Sequence, residues 1–305
     1  MPRWLKITGV VFVIVLIAGG GAYYWYIADG NPPSDVKPYG FDLATIRAKA
    51  DELPGGKASE VRVEKVAGFN FPAVAAVGGD GWNSVPMAAY SYQLILPTDS
   101  IIIDTALTAA QGASFGVQVD DDAYARMDSA MSSATLIAIT HEHSDHIGGI
   151  IAHSEPAEIQ KALRLNKEQL ESLPRYGLAW PTALADYVAI DYADMLAIAP
   201  GVVLIRAPGH TPGSQLVYVK REDGRELLFV GDIGWRMRNI ETGKGRPRLV
   251  SDLLLHEERD TVFEELAMLK ALHEAEPDLL IVPGHDIAAV DALIASGAMI
   301  AGFKP

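Results

Sequence analysis

Thr140-His141-Glu142-His143-Ser144-Asp145-His146 is the stretch on which the reading of this chain turns. Three histidines and an aspartate fall between positions 141 and 146. Residues 135–139 just before it are short, apolar and β-rich, which predicts a strand that delivers His141 at its C-terminal end. His141 and His143, two positions apart on a curling loop, can turn their imidazoles onto one cation. Asp145 and His146 are adjacent, so they can point elsewhere and serve a second. Gly148 and Gly149 allow the close backbone approach such a loop needs. Neutral imidazole with carboxylate suits zinc, and also manganese or iron.

The same arrangement recurs downstream. Pro208-Gly209-His210 follows a predicted strand at 202–206, Gly231-Asp232 follows one at 226–230, and Pro283-Gly284-His285 follows one at 279–282. Loops held at one edge of a rigid sheet can be both precise and accessible, so repeated placement of ligand-type residues there argues for a site. Five of the eight histidines lie in these loops. His153, His256 and His273 read as ordinary surface or core residues. His256 alone keeps a second reading, because it lies between Asp232 and His285.

Around these loops, short β-rich runs alternate with helical patterns, which is the mark of an α/β chain. Residues 91–96 and 101–103 are expected to pair around the turn Pro97-Thr98-Asp99-Ser100. Residues 121–132 and 155–173 are expected as helices, and 215–219 as a strand joined to 226–230 through Glu222-Asp223-Gly224. Residues 260–275 place Phe263, Leu266, Leu269 and Leu272 on one helical face. A final helix is expected over 287–300. From about Lys37 the chain reads as one continuous domain, 38–305.

The chain has 305 residues, 49% hydrophobic, enough for a sizeable core without disulfides. It contains no cysteine, which excludes thiol nucleophiles and Cys-ligated zinc and fits an oxidising compartment. A formal net charge of −14 argues against nucleic acid, whose phosphates are bound by Lys and Arg. One short basic stretch, 244–248, stands against that balance.

Residues 7–27 carry no charge, close to the ~20 apolar residues that span a bilayer. Arg3 and Lys6 precede them, Asp29 and Asp35 follow, and Tyr23, Tyr24, Trp25 and Tyr26 would sit at the far interface as an aromatic belt. Residues 1–28 are therefore expected to be a single-pass anchor in a bacterial-type inner membrane, with 29–37 as linker and the catalytic domain on the periplasmic side. The alternative is a cleaved signal peptide that releases a secreted enzyme.

In order and spacing, the H-x-H-x-D-H run, the first P-G-H, the G-D and the second P-G-H resemble the metallo-β-lactamase superfamily. The resemblance covers about residues 91–286, with Asp104 in Ile103-Asp104-Thr105 matching that family's early buried aspartate. It implies a four-layer αβ/βα sandwich, with two mixed sheets face to face and helices outside. It also implies two divalent metal ions, zinc first. His141, His143 and His210 would hold one ion, Asp145, His146 and His285 the other, and Asp232 would bridge them. Asp104 would orient a ligand histidine. A metal-bridging hydroxide would attack a carbonyl or phosphoryl centre, and Asp145 or a metal-bound water could pass a proton to the leaving group.

Within that superfamily, Asp232 separates the chain from true β-lactamases, and Ile233-Gly234-Trp235-Arg236 lacks the G-C-G-R pattern of glyoxalase II. His143 stands where diiron flavoproteins have Glu. Clamp-like insertions of the nucleases are missing. What remains is similar to the acyl-homoserine-lactone lactonases, which carry a tyrosine three residues past the bridging aspartate. Here that residue is Trp235. The expected function is hydrolysis of a small ester, lactone or amide, the lactone favoured. Alternatives are a mononuclear-iron, persulfide-dioxygenase-like oxidoreductase, a phosphodiester or thioester hydrolase, and a non-catalytic metal-binding protein. Trp235, Tyr176, Trp180 and Arg236 are candidates for the substrate pocket. Tyr176 and Trp180, with Tyr187 and Tyr192, either line an apolar pocket or pack inward as a cap. Arg236, Arg238, Arg246 and Arg248 are either solvated charges or a grip for a carboxylate or phosphate.

Overall fold

In the computed structural model, which describes residues 2–113 and 116–304, the short apolar runs become strands buried on both faces. Side chains alternate across a strand. Ile101 and Ile103 enter one core cluster while Ile102 enters another. Leu204, Val217, Val219, Leu227 and Phe229 join Ile101 and Ile103, whereas Val203, Ile205, Tyr218 and Leu228 face the opposite way. Strands apolar on both sides need cover on both sides. The result is two sheets facing each other with helices on the outer faces, the layering of a metallo-β-lactamase-type sandwich.

The first sheet runs from Ile300–Ala301 (β11) through Glu60–Pro72 (β1), Ser84–Ile95 (β2) and Ser100–Ile103 (β3) to Leu136–Ala138 (β5), with Gln118–Val119 (β4) also on β1. β2 and β3 form the expected antiparallel pair, with Tyr92 opposite Ile103. β5 adds in parallel to β3. The second sheet runs β10-β9-β8-β7-β6, from Leu279–Val282 through Glu226–Phe229, Gln215–Lys220 and Val202–Arg206 to Met195–Ala199. The helix Asp121–Ser133 lays Met127 and Met131 on the first sheet, and Arg259–Ala275 lays Phe263, Leu266 and Leu269 on the second.

Two expected helices differ. Residues 155–173 do not form one helix. Pro156–Ile159 is a single turn, and helix resumes only at Lys167–Ser172. Between them Leu163 bridges Ile137, and the Arg164 N–H donates to the Ile137 carbonyl at 2.8 Å, so this stretch extends the edge of β5. Asn166 and Gln169 then form a capping box that starts the next helix. The last helix covers only Ile287–Ala295. Gly297 adopts φ +72°, and Ile300–Ala301 returns as β11, parallel to β1. The strands β1 and β6 and the helix Leu43–Ala50 are additions to the expected elements.

At the N-terminus, Arg3–Tyr23 is helical and continues as a wide π-type turn over Tyr24–Ala28. Ile7–Ala28 is long and apolar enough to cross a membrane, with a mean hydropathy of 2.0 and none of it buried. The side chains of Arg3 and Lys6, on which the expected orientation rests, lie outside the described residues. The far end of the helix is tied to the domain. The Arg248 guanidinium lies 4.0 Å from the Trp25 ring, and the Trp82 indole N–H donates to the Tyr23 hydroxyl at 3.0 Å.

Candidate metal centre

Each ligand candidate leaves a strand of one sheet or the other at the same end of the sandwich. His141 follows β5, His210 follows β7, Asp232 sits in a single turn (Gly231–Ile233) after β9, and His285 follows β10. His143 occupies the position just before the helix Ser144–Ala152, whose first turn carries Asp145 and His146. Gly149 lets this helix close on the chain after β3, since a Cβ there would lie 2.5 Å from the Thr105 carbonyl oxygen. The structure thereby brings all seven residues together. His141, His143, His210 and Asp232 form one group and Asp145, His146 and His285 a second, the donor atoms within each lying within 4.8 Å of one another.

The hydrogen bonds behind the rings decide what the centre can hold. A carboxylate or carbonyl oxygen can only accept, so it fixes the histidine nitrogen it faces as N–H. His210 Nδ1 lies 2.6 Å from Glu257 Oε1, His146 Nδ1 lies 2.9 Å from Asp104 Oδ2, and His285 Nδ1 lies 2.9 Å from the Ala88 carbonyl. In the neutral form of all three rings, the form that binds a metal, the Nε2 lone pair then points inward. His141 Nε2 and His210 Nε2 both face His143 Nδ1, at 3.1 and 3.0 Å. His285 Nε2 faces Asp232 Oδ2 at 3.2 Å. His146 Nε2 and Asp232 Oδ1 are buried with no well-aligned hydrogen bond among the described residues, 3.4 Å from each other, and His285 Nε2 lies 3.1 Å from the same oxygen. Lone pairs and carboxylates converging with almost no donor among them fit divalent cations.

The electrostatics follow. Burial, reinforced by neighbouring imidazoles, holds His141 and His143 well below the usual histidine range, as neutral metal ligands must be. For His146 burial acts the same way, but Asp104, Asp145 and Asp232 outweigh it and lift the ring well above that range. His285 is lifted too, burial again being outweighed, here chiefly by Asp232. Burial would raise Asp232, yet His285, His146 and His141 together hold it well below the usual carboxylate range. This half of the site thus draws positive charge to itself.

Asp104 stands behind His146. It accepts from the Thr140 backbone N–H at 2.6 Å and from His146, in a left-handed conformation (φ +59°) uncommon outside glycine. Other supports were not anticipated from sequence. Glu142 points away from the imidazoles on either side and accepts from the Thr211 hydroxyl (2.7 Å) and the Gly213 N–H (3.2 Å), joining two ligand loops, and burial pushes its carboxyl up to about 6. Glu257 pairs with both His210 and Arg246. Arg246 is itself buried, and its guanidinium lies 4.8 Å from the Trp235 ring. Glu257 carries no periodicity or motif signal; the sequence had singled out its neighbour His256, and Arg246 as a solvated charge or a carboxylate grip, and the carboxylate that Arg246 meets is the protein's own Glu257. That histidine is exposed, with its ring on the Asp252 carbonyl.

The pocket candidates separate. Tyr176 packs edge-on against His143, ring centroids 4.4 Å apart, with its hydroxyl buried and unpartnered. Trp180 instead packs inward beside Tyr187 and donates to the Leu184 carbonyl at 2.9 Å, because its indole completes the core beneath the cap. Trp235 touches the site, but its N–H is committed to Asp232 Oδ2 at 2.7 Å, so it orients a ligand rather than offering a free donor. Arg236 is half-buried at the start of the helix Met237–Thr242. Arg238 pairs with Asp80 and Arg248 with Asp252. His153 is buried against Asp128 at 2.8 Å, a structural contact.

A family model described as the metallo-beta-lactamase superfamily matches residues 86–285. An N-acyl homoserine lactonase from a Bacillus species is 29% identical over 110 residues, covering 34% of this chain and 40% of that protein. A Mycobacterium tuberculosis protein described as a "Probable metallo-hydrolase" is 30% identical over 180 residues, covering 51% and 56%. The chain thus matches between 40% and 56% of the length of these curated relatives. Among solved structures, a quorum-quenching N-acyl homoserine lactone lactonase superposes with a TM-score of 0.61 at 15% identity, over 78% of this chain and 97% of that one. An N-acyl homoserine lactone hydrolase with its product N-hexanoyl-L-homoserine bound at the catalytic metal center gives 0.60 at 15% identity, over 77% and 96%. At such identity the likeness is one of fold.

Proposed function

The chain belongs to the metallo-β-lactamase superfamily, and from that premise we propose that it is a membrane-anchored hydrolase holding two divalent cations, zinc first. Its substrate in this reading is a small ester, lactone or amide, the lactone favoured. The observation that carries the proposal is the inward convergence of histidine lone pairs and carboxylates around the buried His146 Nε2 and Asp232 Oδ1. His141, His143 and His210 would hold one cation, Asp145, His146 and His285 the other, with Asp232 between. Bound there, such cations lower the pKa of water toward ~7 and polarise a carbonyl oxygen.

The protein's own groups supply the rest. Asp232 sits between the two groups, with Oδ2 pinned by Trp235 and Oδ1 facing His285 Nε2 at 3.1 Å and His146 Nε2 at 3.4 Å. Asp145 is the most exposed of the carboxylates at the centre, its side chain 26% accessible, so it can carry a proton on Oδ2 between solvent and the leaving oxygen. Glu257, Asp104 and the Ala88 carbonyl hold the tautomers of three ligand histidines, so no ring has to reorganise during turnover. The Tyr176 hydroxyl, held protonated by burial and pushed up to about 12, is a donor beside His143 for a substrate oxygen. The lactone preference draws on the fold shared with the lactonases.

The test is metal content by mass spectrometry of the full chain in detergent, with acid release from an acyl-homoserine lactone and from simple esters. Two cations per chain, and turnover lost in Asp232→Asn while folding persists, are expected. Full activity in Asp232→Asn would refute the mechanism. Two bound metals with ester but no lactone turnover would remove the lactone preference alone.

A further inference from the structure

Beside the exit of the N-terminal helix, the domain exposes an apolar patch for which its own fold supplies no cover. Leu249, Leu253 and Leu254 are 47%, 58% and 63% accessible, and Trp82 is 62% accessible. The leucines lie on one short element, the turn Arg248–Val250 continuing into a wide π-type turn over Ser251–Leu255. Leu253 and Leu254 of this turn face outward while Ser251 is buried, and His256 ends it in the left-handed region at φ +58°. The acid in the turn, Asp252, is paired with Arg248 at 3.4 Å. A contiguous exposed apolar patch marks an interaction surface.

Its neighbours say what covers it. Arg248, which begins the element, lies against Trp25 of the N-terminal helix, and Trp82 bonds Tyr23. Arg259 reaches the Asp29 carbonyl at 3.2 Å, and the Gly245 N–H donates to the Gly30 carbonyl at 2.9 Å, fixing the chain where it leaves the helix. The patch is therefore continuous with the aromatic end of the apolar span, at the level where Trp and Tyr meet lipid headgroups. It is equally continuous with the metal centre. Val250 and Leu255 pack in one cluster with Trp235 and Phe71, Glu257 follows the turn and holds His210, and Arg175, next to Tyr176, donates to the His256 carbonyl at 3.1 Å.

We propose that Leu249, Leu253 and Leu254, with Trp82, seat in the headgroup–acyl boundary of the bilayer crossed by the N-terminal helix, so that the metal centre opens at the lipid surface. The inference rests on reading Ile7–Ala28 as a membrane span. Amphipathic elements with leucine and tryptophan on one side bind this boundary through buried apolar area.

The chain has no cysteine, so a single introduced one can be labelled uniquely. Full-length Ile14→Cys, Leu253→Cys, Leu254→Cys and Glu222→Cys proteins would carry an environment-sensitive fluorophore in phosphatidylcholine–phosphatidylglycerol vesicles containing spin-labelled lipid. Glu222 is exposed in the β8–β9 hairpin, at the opposite end of the second sheet from the metal centre. Quenching at 14, 253 and 254, with a blue-shifted emission, and none at 222 is expected. Quenching at 14 with 253 and 254 behaving like 222 overturns the inference and leaves the anchor standing. Absence of quenching at 14 overturns the anchor, and the inference with it.

Discussion

Replacing Glu265 by glutamine should change the stability of this protein in a way that depends on pH, with a sign the structure dictates. Glu265 lies on the helix Arg259–Ala275 with no accessible surface. Its Oε1 accepts the Gly209 N–H at 3.0 Å, supporting the loop that carries His210, while Oε2 is buried without a partner. Burial pushes the carboxyl up to about 8; the Gly209 bond opposes the shift, and nearby Glu257 and Glu264 add to it. Unfolded, the same group would titrate near the ordinary glutamate value of 4.5. Between those values the unfolded chain gives up a proton that the folded one keeps, so stability falls as pH rises. One pKa unit is ~1.4 kcal/mol, so from about pH 5 to about pH 8 the wild type loses on the order of 3 kcal/mol through this residue alone. Glutamine has the same shape and no proton to lose. Denaturant unfolding of the full chain in detergent, at fixed metal concentration, reads the difference between wild type and Glu265→Gln. The variant's relative stability should improve steadily toward pH 8. A difference that stays constant across pH would refute the claim that Glu265 is buried as the neutral acid.

Other predictions follow from the supports of the centre. Glu257→Gln removes the carboxylate behind His210 and leaves the Arg246 charge unbalanced, so metal affinity should fall on the order of 10–100-fold, read by chelator competition; unchanged affinity would deny that support. Trp235→Phe keeps the packing against Phe71 but removes the N–H on Asp232 Oδ2, and calorimetric metal titration should show weakened binding with an unchanged far-ultraviolet spectrum. Gly149→Ala forces a Cβ against the Thr105 carbonyl and should destabilise the fold by ~1–3 kcal/mol, seen as a lower Tm. An unshifted Tm would mean that the helix after the histidine run can move away at no cost.

The ligand loops were legible because their signal is local. A run of histidines at a strand end states both the donor atoms and the element that delivers them, and the downstream Pro-Gly-His and Gly-Asp segments repeat that statement. Strands such as Val202–Arg206 and Leu279–Val282 were legible for the same reason, being unbroken apolar runs of strand length. Residues 155–173 were not, because helical composition there competes with an edge: pairing of Leu163 and Arg164 with Ile137 is a contact with a strand more than twenty positions away. β1 carries a period-2 signal, Val61 and Val63 alternating with Glu60, Arg62 and Glu64, but the register shift between Lys65 and Ala67 breaks it, and pairing with β2 along its length makes it one strand.

From sequence alone came the α/β class, the seven donors, the order of the loops and the apolar span, since each depends on residues close together in the chain. Tertiary structure decided the rest. It placed Glu257, forty-seven positions from His210, behind that ring, and turned the N–H of Trp235 onto Asp232. It buried the guanidinium of Arg246 over Trp235 and packed Trp180 beneath the cap. It brought the leucines of the 249–255 turn beside Trp25. These facts depend on which loops meet once two sheets close on each other, and no local pattern of side chains carries that information.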